Sequence, residues 1–258
     1  MRRFFVSPED VGEETIVIDD REDIRHMKKV LRLSKGDEID ISDSTEWEYR
    51  TEIILLDDEK AEARILDKQR FTAEPKVRVT LFQGIPKQGK METIVQKSVE
   101  LGVAAIVPVF MARTVVTDKG NFEKKIQRWQ KVADEAVKQC RRGVIPQVSR
   151  PMKLREMIDK LEDFDMVLFP YENERGITIK DVLRGDRAEE CGNCEAAKNS
   201  DAAENIAVII GPEGGFSDQE AKEIVAAGGI SLSLGKTVLR TETAGMAAIA
   251  MIMYEKEL

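Results

Sequence analysis

The chain is poor in the residues that would tie it to a secreted, membrane-spanning or metal-centred protein. Three cysteines in 258 residues (Cys140, Cys191 and Cys194) are too few, and odd in number, for a disulfide scaffold. The single histidine, His26, is far in sequence from Cys191-Gly-Asn-Cys194, and there is no second cysteine pair, so no metal site is expected. No apolar run reaches the roughly 18 to 20 residues that cross a bilayer. The opening stretch MRRFFVSPEDV has neither a long apolar segment nor a small-residue cleavage site, so no signal peptide is expected and the cytoplasm is the expected location. Neither GxxxxGK[ST] nor GxGxxG occurs, which excludes the two commonest glycine-rich phosphate cradles.

What remains is a globular composition, 42% hydrophobic and 34% charged, long enough for one large domain or two ordinary ones. The net charge of −8 argues against a polyanion partner until its distribution is read. Residues 1–75 hold 13 Lys+Arg against 21 Asp+Glu, residues 76–155 hold 17 against 6, and residues 156–258 hold 10 against 21. A block of net +11 thus lies between segments of −8 and −11. Solvated surfaces intersperse their signs, so the block points to a nucleic-acid face; a basic helix paired with an acidic neighbour is the plainer alternative.

Residues 1–70 predict a small β-barrel. Strand-like runs occur at RRFFV, TIVI, DEIDIS, EWEYRTEIILL and KAEARIL, with one helix over about Asp20 to Leu33. FTAEPK reads as the linker, and residues 76–258 form the second domain. There strands VRVTLFQ, AAIVPVF, DMVLFP, IAVIIG and ISLSL alternate with helices, which predicts an α/β fold around a parallel sheet. One helix, NFEKKIQRWQKVADEAVKQC, places Ile126, Trp129, Ala133, Ala136, Val137 and Cys140 on one face. Another opens with the capping box Ser217-x-x-Glu220. The last, TAGMAAIAMIMYE, is apolar nearly all round and is expected to be buried on most sides. Residues 185–204 lack Leu, Ile, Val, Met and aromatics, which predicts a mobile surface loop.

Three strand-to-helix loops share a character: Pro170-Tyr171-Glu172-Asn173, Gly211-Pro212-Glu213-Gly214-Gly215, and Gly235 through Thr243. Parallel strands deliver such loops to one edge, where ligands bind. Glycine lets backbone groups approach a ligand closely. Carboxylates at 172, 213 and 242 make phosphate a poor tenant and a neutral or cationic ligand a better one. In the third loop Glu242 is read as paired with Arg240 at the mouth of a pocket.

VIIGPEGGFSDQE and LSLGKTVLRTETAGMAAI, with PKQGKMETIVQKSVELGVAAIVPV, ARTVV and His26-Met-Lys-Lys-Val-Leu-Arg32, resemble the motifs of the RsmE family. That family comprises the 16S ribosomal RNA uridine-N3 methyltransferases of the SPOUT superfamily. The resemblance runs through nearly the whole chain in order. It departs at Cys140-Arg141-Arg142, where the family commonly has Ser-Gly-Arg, and at residues 185–204, which look inserted.

The resemblance implies a PUA-like barrel followed by an α/β SPOUT domain with a deep trefoil knot, an exception to the rule against threading. It further implies a homodimer, 16S rRNA within the 30S subunit as partner, and S-adenosylmethionine as cofactor. Carried over as the cofactor pocket are Phe169, Pro170, Glu172, Gly211, Glu213, Gly214, Leu234, Gly235, Leu239, Arg240 and Glu242. Glu172 or Glu242 is expected to accept the uridine N3 proton, with Arg113 or Arg240 stabilising the anionic uracil. RNA contacts are assigned to Arg2, Arg3, Arg25, His26 and Arg32 of the small domain and to Lys87, Lys90, Arg128, Arg141 and Arg142 of the basic block. Methylation of another base or a ribose 2′-OH, and a non-enzymatic RNA-binding role, stay open as alternatives.

Overall fold

The computed structural model describes residues 3–87, 89–117, 122–185 and 204–257. The chain separates into two compact units, one of Met1–Glu74 with Val137–Ile145 and one of Pro75–Ala136 with Pro146–Leu258.

The five expected strands of the first unit form as β1 (Arg3–Phe5), β2 (Thr15–Ile18), β3 (Glu38–Ser42), β4 (Trp47–Leu56) and β5 (Ala61–Arg70). They pair in the order β1-β3-β4-β5-β2, with β1 parallel to β3 and the other pairs antiparallel. Period-two alternation decides which face is core: Ile16 and Ile18 of β2 and Ile39 and Ile41 of β3 are buried together with Phe4 and Ile53. Helix α1 (Arg21–Arg25) is capped by Asp20, which accepts the Asp23 N–H at 2.9 Å, and continues as one π-type turn over His26–Val30. It ends short of Leu33 because Arg32 takes a positive φ of 52°. Glu74 accepts the N–H groups of Gly143 and Val144 and pairs with Arg142, which holds 142–144 within this unit. Only glycine fits at 143, since a Cβ there would lie 2.4 Å from the Phe71 ring.

The second unit is built on seven strands: β6 (Arg78–Gly84), β7 (Ala105–Phe110), β8 (Gln147–Val148), β9 (Met152–Lys153), β10 (Met166–Pro170), β11 (Asn205–Ile210) and β12 (Ile230–Leu232). All their pairings are parallel, in the order β12-β10-β11-β6-β7-β8 with β9 also beside β7. The helices are α2 (Lys90–Glu100), α3 (Phe122–Cys140, whose residues from Val137 onward count with the first unit), α4 (Leu154–Ile158), α5 (Ile179–Arg184), α6 (Asp218–Ala226) and α7 (Thr241–Glu257). The expected stripe of α3 is the one it buries at Trp129, Ala133, Ala136 and Val137. Helix α6 carries the expected capping box between Ser217 and Glu220.

The chain moves outward from β6 through β7 to β8, then returns to lay β10, β11 and β12 on the other side of β6. A reversal of strand order opens a crevice at the carboxyl ends of the strands. Within the single chain, helix α7 buries Gly245, Ala248, Ile249 and Ile252 and leaves Met251 and Tyr254 exposed, the latter at 68%. Among the described residues no helix is long and apolar enough to cross a membrane.

Candidate active site

The three loops that leave β10, β11 and β12 converge on one cavity of about 410 Å³, within the range of small-molecule sites. Pro170 and Glu172 come from the first loop, Gly211 and Glu213 from the second, and Leu234, Gly235, Leu239 and Arg240 from the third. Lys90 at the head of α2 also lines it, as do Tyr171 and Phe216. Close packing beneath the loops fixes their course. A Cβ on Gly84, the last residue of β6, would lie 2.5 Å from the Pro212 nitrogen. Gln83, fully buried, donates to Thr241 Oγ1 at 2.8 Å, and that hydroxyl donates to the Gly211 carbonyl at 2.6 Å. One hydrogen-bonded chain thereby joins the sheet, the second loop and the first residue of α7.

Three of the expected pocket residues stand off the lining. Phe169 is fully buried under the cavity, stacked on Tyr171 at 5.2 Å and edge-on to Phe216 at 4.8 Å. Its part is to support the two rings that face the cavity. Gly214 offers its carbonyl to Arg113 Nη1 at 2.8 Å instead of facing the space. Glu242 turns to Lys90, with Oε2 3.1 Å from Nζ, so the expected Arg240–Glu242 pair is replaced by Lys90–Glu242. That oxygen is buried and, apart from the ion pair, has no aligned hydrogen bond.

The four catalytic candidates thus divide. Glu172 and Arg113 stand against neighbouring glycines: a Cβ on Gly215 would lie 2.8 Å from Glu172 Oε1, and one on Gly214 would lie 2.9 Å from Arg113 Cβ. Gly215 holds a left-handed φ of 68°, which suits glycine, and leaves room for the carboxylate. Arg113 is further steadied through its neighbour: the Ala112 N–H donates to buried Glu220 at 2.7 Å, the acid that closes the α6 capping box. Among the described residues Glu172 has no ion pair, and both it and Arg113 are exposed.

Glu213 and Glu242 sit instead with Lys90. Burial tends to raise the Glu213 carboxyl, but its own N–H, the Lys87 N–H and Lys90 outweigh that and hold it below the usual carboxylate range. Glu242 is also held low, first by its own backbone N–H at the head of α7 and then, against desolvation, by Lys90. Lys90 is raised in turn by its bonds to the two acids.

The expected RNA residues divide as well. Arg3 and Arg142 are corrected to structural roles: Arg142 is 5% exposed and spends its guanidinium on Glu74, and Arg3 pairs with Glu48 while donating to the carbonyls of Arg141 and Arg142. A guanidinium committed in this way inside the fold is poorly placed to grip a phosphate. Lys90 belongs to the cavity, and Arg128 pairs with Glu92. His26 is half-buried with its ring edge-on to Phe4 at 6.3 Å. Arg25, Arg32, Lys87 and Arg141 are exposed; Arg2 and the Cys191/Cys194 pair lie outside the described residues.

A family model for an RNA methyltransferase domain matches residues 73–253, and one for an RNA methyltransferase PUA domain matches residues 18–74. The chain is therefore an RNA methyltransferase of mixed α/β fold with a PUA-like domain ahead of the catalytic one. It is 28% identical over 261 residues to the ribosomal RNA small subunit methyltransferase E of Bacillus subtilis, covering all of this chain and 98% of that one. The enzyme of the same name from Buchnera aphidicola subsp. Schizaphis graminum is 33% identical over 233 residues, 89% of this chain and 87% of its own. A crystal structure of ribosomal RNA small subunit methyltransferase E from Neisseria gonorrhoeae, bound to S-adenosyl methionine, matches with 30% identity and a TM-score of 0.81 over 98% of this chain and 97% of that one. The chain belongs to the ribosomal RNA small subunit methyltransferase E family.

Proposed function

We propose that the chain methylates N3 of a specific uridine of 16S rRNA in the small ribosomal subunit, using S-adenosylmethionine. The residues around the cavity suit that donor. Leu234, Leu239 and Pro170 give apolar walls for a flat base, the glycine-bearing backbones of the second and third loops give hydrogen-bonding edges, and the acids suit a cation. Once bound, the donor supplies an electrophilic methyl group on a sulfonium.

The chain's own task is to take one proton and to balance one charge. Uridine N3 is a weak acid, and its nitrogen is nucleophilic only as the proton leaves. Glu172, exposed at the cavity and without a cation partner among the described residues, accepts that proton. Arg113, on the adjoining residue of the Gly214–Gly215 turn, faces the negative charge that develops on the uracil. Glu242 serves less well, because a carboxylate bound to an ammonium gives up proton affinity. N3 lies on the pairing edge of the base, so the uridine enters unpaired or flipped.

The remaining parts of the reading are a closed barrel in the first unit, a trefoil knot in the second, a cytoplasmic location and a homodimer. Exposed Met251 and Tyr254 on α7 support a second copy as the cover of that helix.

The observation that carries this proposal is the placing of Glu172 against Gly215, at the lining of a three-loop cavity, and of Arg113 against the neighbouring Gly214. The test is nucleoside mass spectrometry of small-subunit RNA after incubation with the enzyme and methyl-labelled donor. N3-methyluridine carrying the label is expected. Label on a ribose, on another base or nowhere overturns it.

A further inference from the structure

Lys90 combines three properties that a solvated surface lysine would not share. It occupies the first position of α2, directly after Gly89, and it lines the cavity formed by loops that belong to other strands. Its Nζ lies 3.2 Å from Glu213 Oε1 and 3.1 Å from Glu242 Oε2. The two carboxylates come from different walls: Glu213 from the loop between β11 and α6, Glu242 from the head of α7. The Lys90 side chain is one-third exposed, and those of Glu213 and Glu242 are 26% and 18% exposed.

Two half-buried carboxylates that close to one point repel each other unless a cation stands between them. Lys90 is that cation, and no other described lysine or arginine pairs with either acid. The backbone of the same segment adds a second tie, because the Lys87 N–H donates to both oxygens of Glu213 at 3.0 and 3.2 Å. Lys87 and Lys90 therefore fasten the second loop and, through Glu242, the start of α7. An ammonium held by two carboxylates has little charge left to offer a phosphate. Lys90 thus leaves the set of RNA contacts in which its place in the basic block had put it.

We propose that Lys90 is a positioning residue of the methyl-donor pocket, an ammonium that holds the Glu213 loop and the head of α7 in the one arrangement that closes on the donor. The inference rests on the cavity being the S-adenosylmethionine site. It also removes Glu242 from proton transfer, since the carboxylate is committed to Lys90, and leaves Glu172 as the acid free to act.

Calorimetry of the full chain with S-adenosylmethionine, without RNA, tests it through Lys90→Met and Lys90→Arg. Lys90→Met is expected to weaken donor binding roughly tenfold or more, as loss of one charge-assisted tie does. Lys90→Arg, whose fork can span both acids, is expected to stay within about threefold. The dependence of RNA affinity on salt is expected to keep its wild-type slope in both variants. Wild-type donor affinity in Lys90→Met, together with a shallower salt slope, makes Lys90 a phosphate contact and overturns the proposal. Failure of the wild type itself to bind donor overturns the donor-site reading and this inference with it.

Amine acetylation of the wild type, read by peptide mass spectrometry, gives the same decision if Lys90→Met does not fold. Protection of Lys90 by the donor alone supports the proposal. Protection by RNA but not by donor overturns it.

Discussion

Glu172 and Glu242 are both carboxylates near the cavity, and their surroundings give them different work. Glu172 has no ion pair among the described residues and stands over Gly215; Glu242 is bound to Lys90 at the head of α7. Glu172→Gln is expected to lower the single-turnover rate by about 10²- to 10⁴-fold, the usual worth of a general base, with donor affinity nearly unchanged. Glu242→Gln is expected to do the reverse, weakening donor binding with a smaller effect on the rate at saturating donor. Rapid-quench methylation and calorimetry on the two variants separate them. The acids beside Lys90 also set a pH dependence. Both have folded pKa values below the ordinary carboxylate value of 4.5, so their ion pairs are complete above that value and are lost as pH falls through the lower, folded one. Donor affinity is therefore expected to be level from neutrality down to about pH 5 and to fall only in stronger acid, as calorimetry across that range will read. Residues such as Glu172, Gly211 and Glu213 were legible in the sequence because Pro or Gly marks the strand end that precedes each. Lys90 was not, because a lysine in a basic block carries no sign of the acids that will meet it from distant loops.

At the scale of elements, the glycine-rich second loop carries more than flexibility. Gly215 combines a φ of 68° with a wall, Glu172 Oε1, 2.8 Å from where a Cβ would sit. Gly215→Ala therefore meets two penalties at once, a left-handed backbone cost of about 1 to 2 kcal/mol and displacement of the carboxylate. The expected outcome is a turnover at least tenfold lower with a donor affinity changed far less, checked by the same two measurements. A Gly215→Ala enzyme with wild-type turnover places Glu172 outside the chemistry. The long strands and helices of the sheet were legible because their periods of 2 and 3.6 are local properties of the chain. The two-residue strands β8 and β9 were not: they exist only through pairing with β7, and two residues display no period. The π-type turn at His26–Val30 was equally hidden, since its residues suit an α-helix. Membership of Val137–Ile145 in the first unit was hidden for a third reason: it depends on Glu74 gathering two N–H groups and a guanidinium some 70 residues away.

Over the whole molecule, the charge pattern pointed to a polyanion partner but could not say which cations would meet it. Arg142 and Arg25 look alike in sequence, and the fold spends the first on Glu74 while leaving the second in solvent. Their variants should therefore fail in different ways. Arg142→Met strands a half-buried carboxylate and two N–H groups that depend on its position, so a loss of about 3 kcal/mol of stability is expected, read as a lower denaturant midpoint. Its RNA affinity, measured where the variant is still folded, should keep the wild-type salt slope, because no phosphate contact has gone. Arg25→Ala with Arg32→Ala removes two exposed charges whose loss disturbs no ion pair among the described residues, so stability should change by no more than about 0.5 kcal/mol. The RNA salt slope should become shallower by roughly 0.7 to 0.9 for each lost contact. The two effects are independent readings of one fact, whether a cation is committed inside the fold or held out to solvent. A double variant that leaves the slope unchanged removes Arg25 and Arg32 from the RNA face. An Arg142→Met variant that loses slope but not stability would return that residue to it.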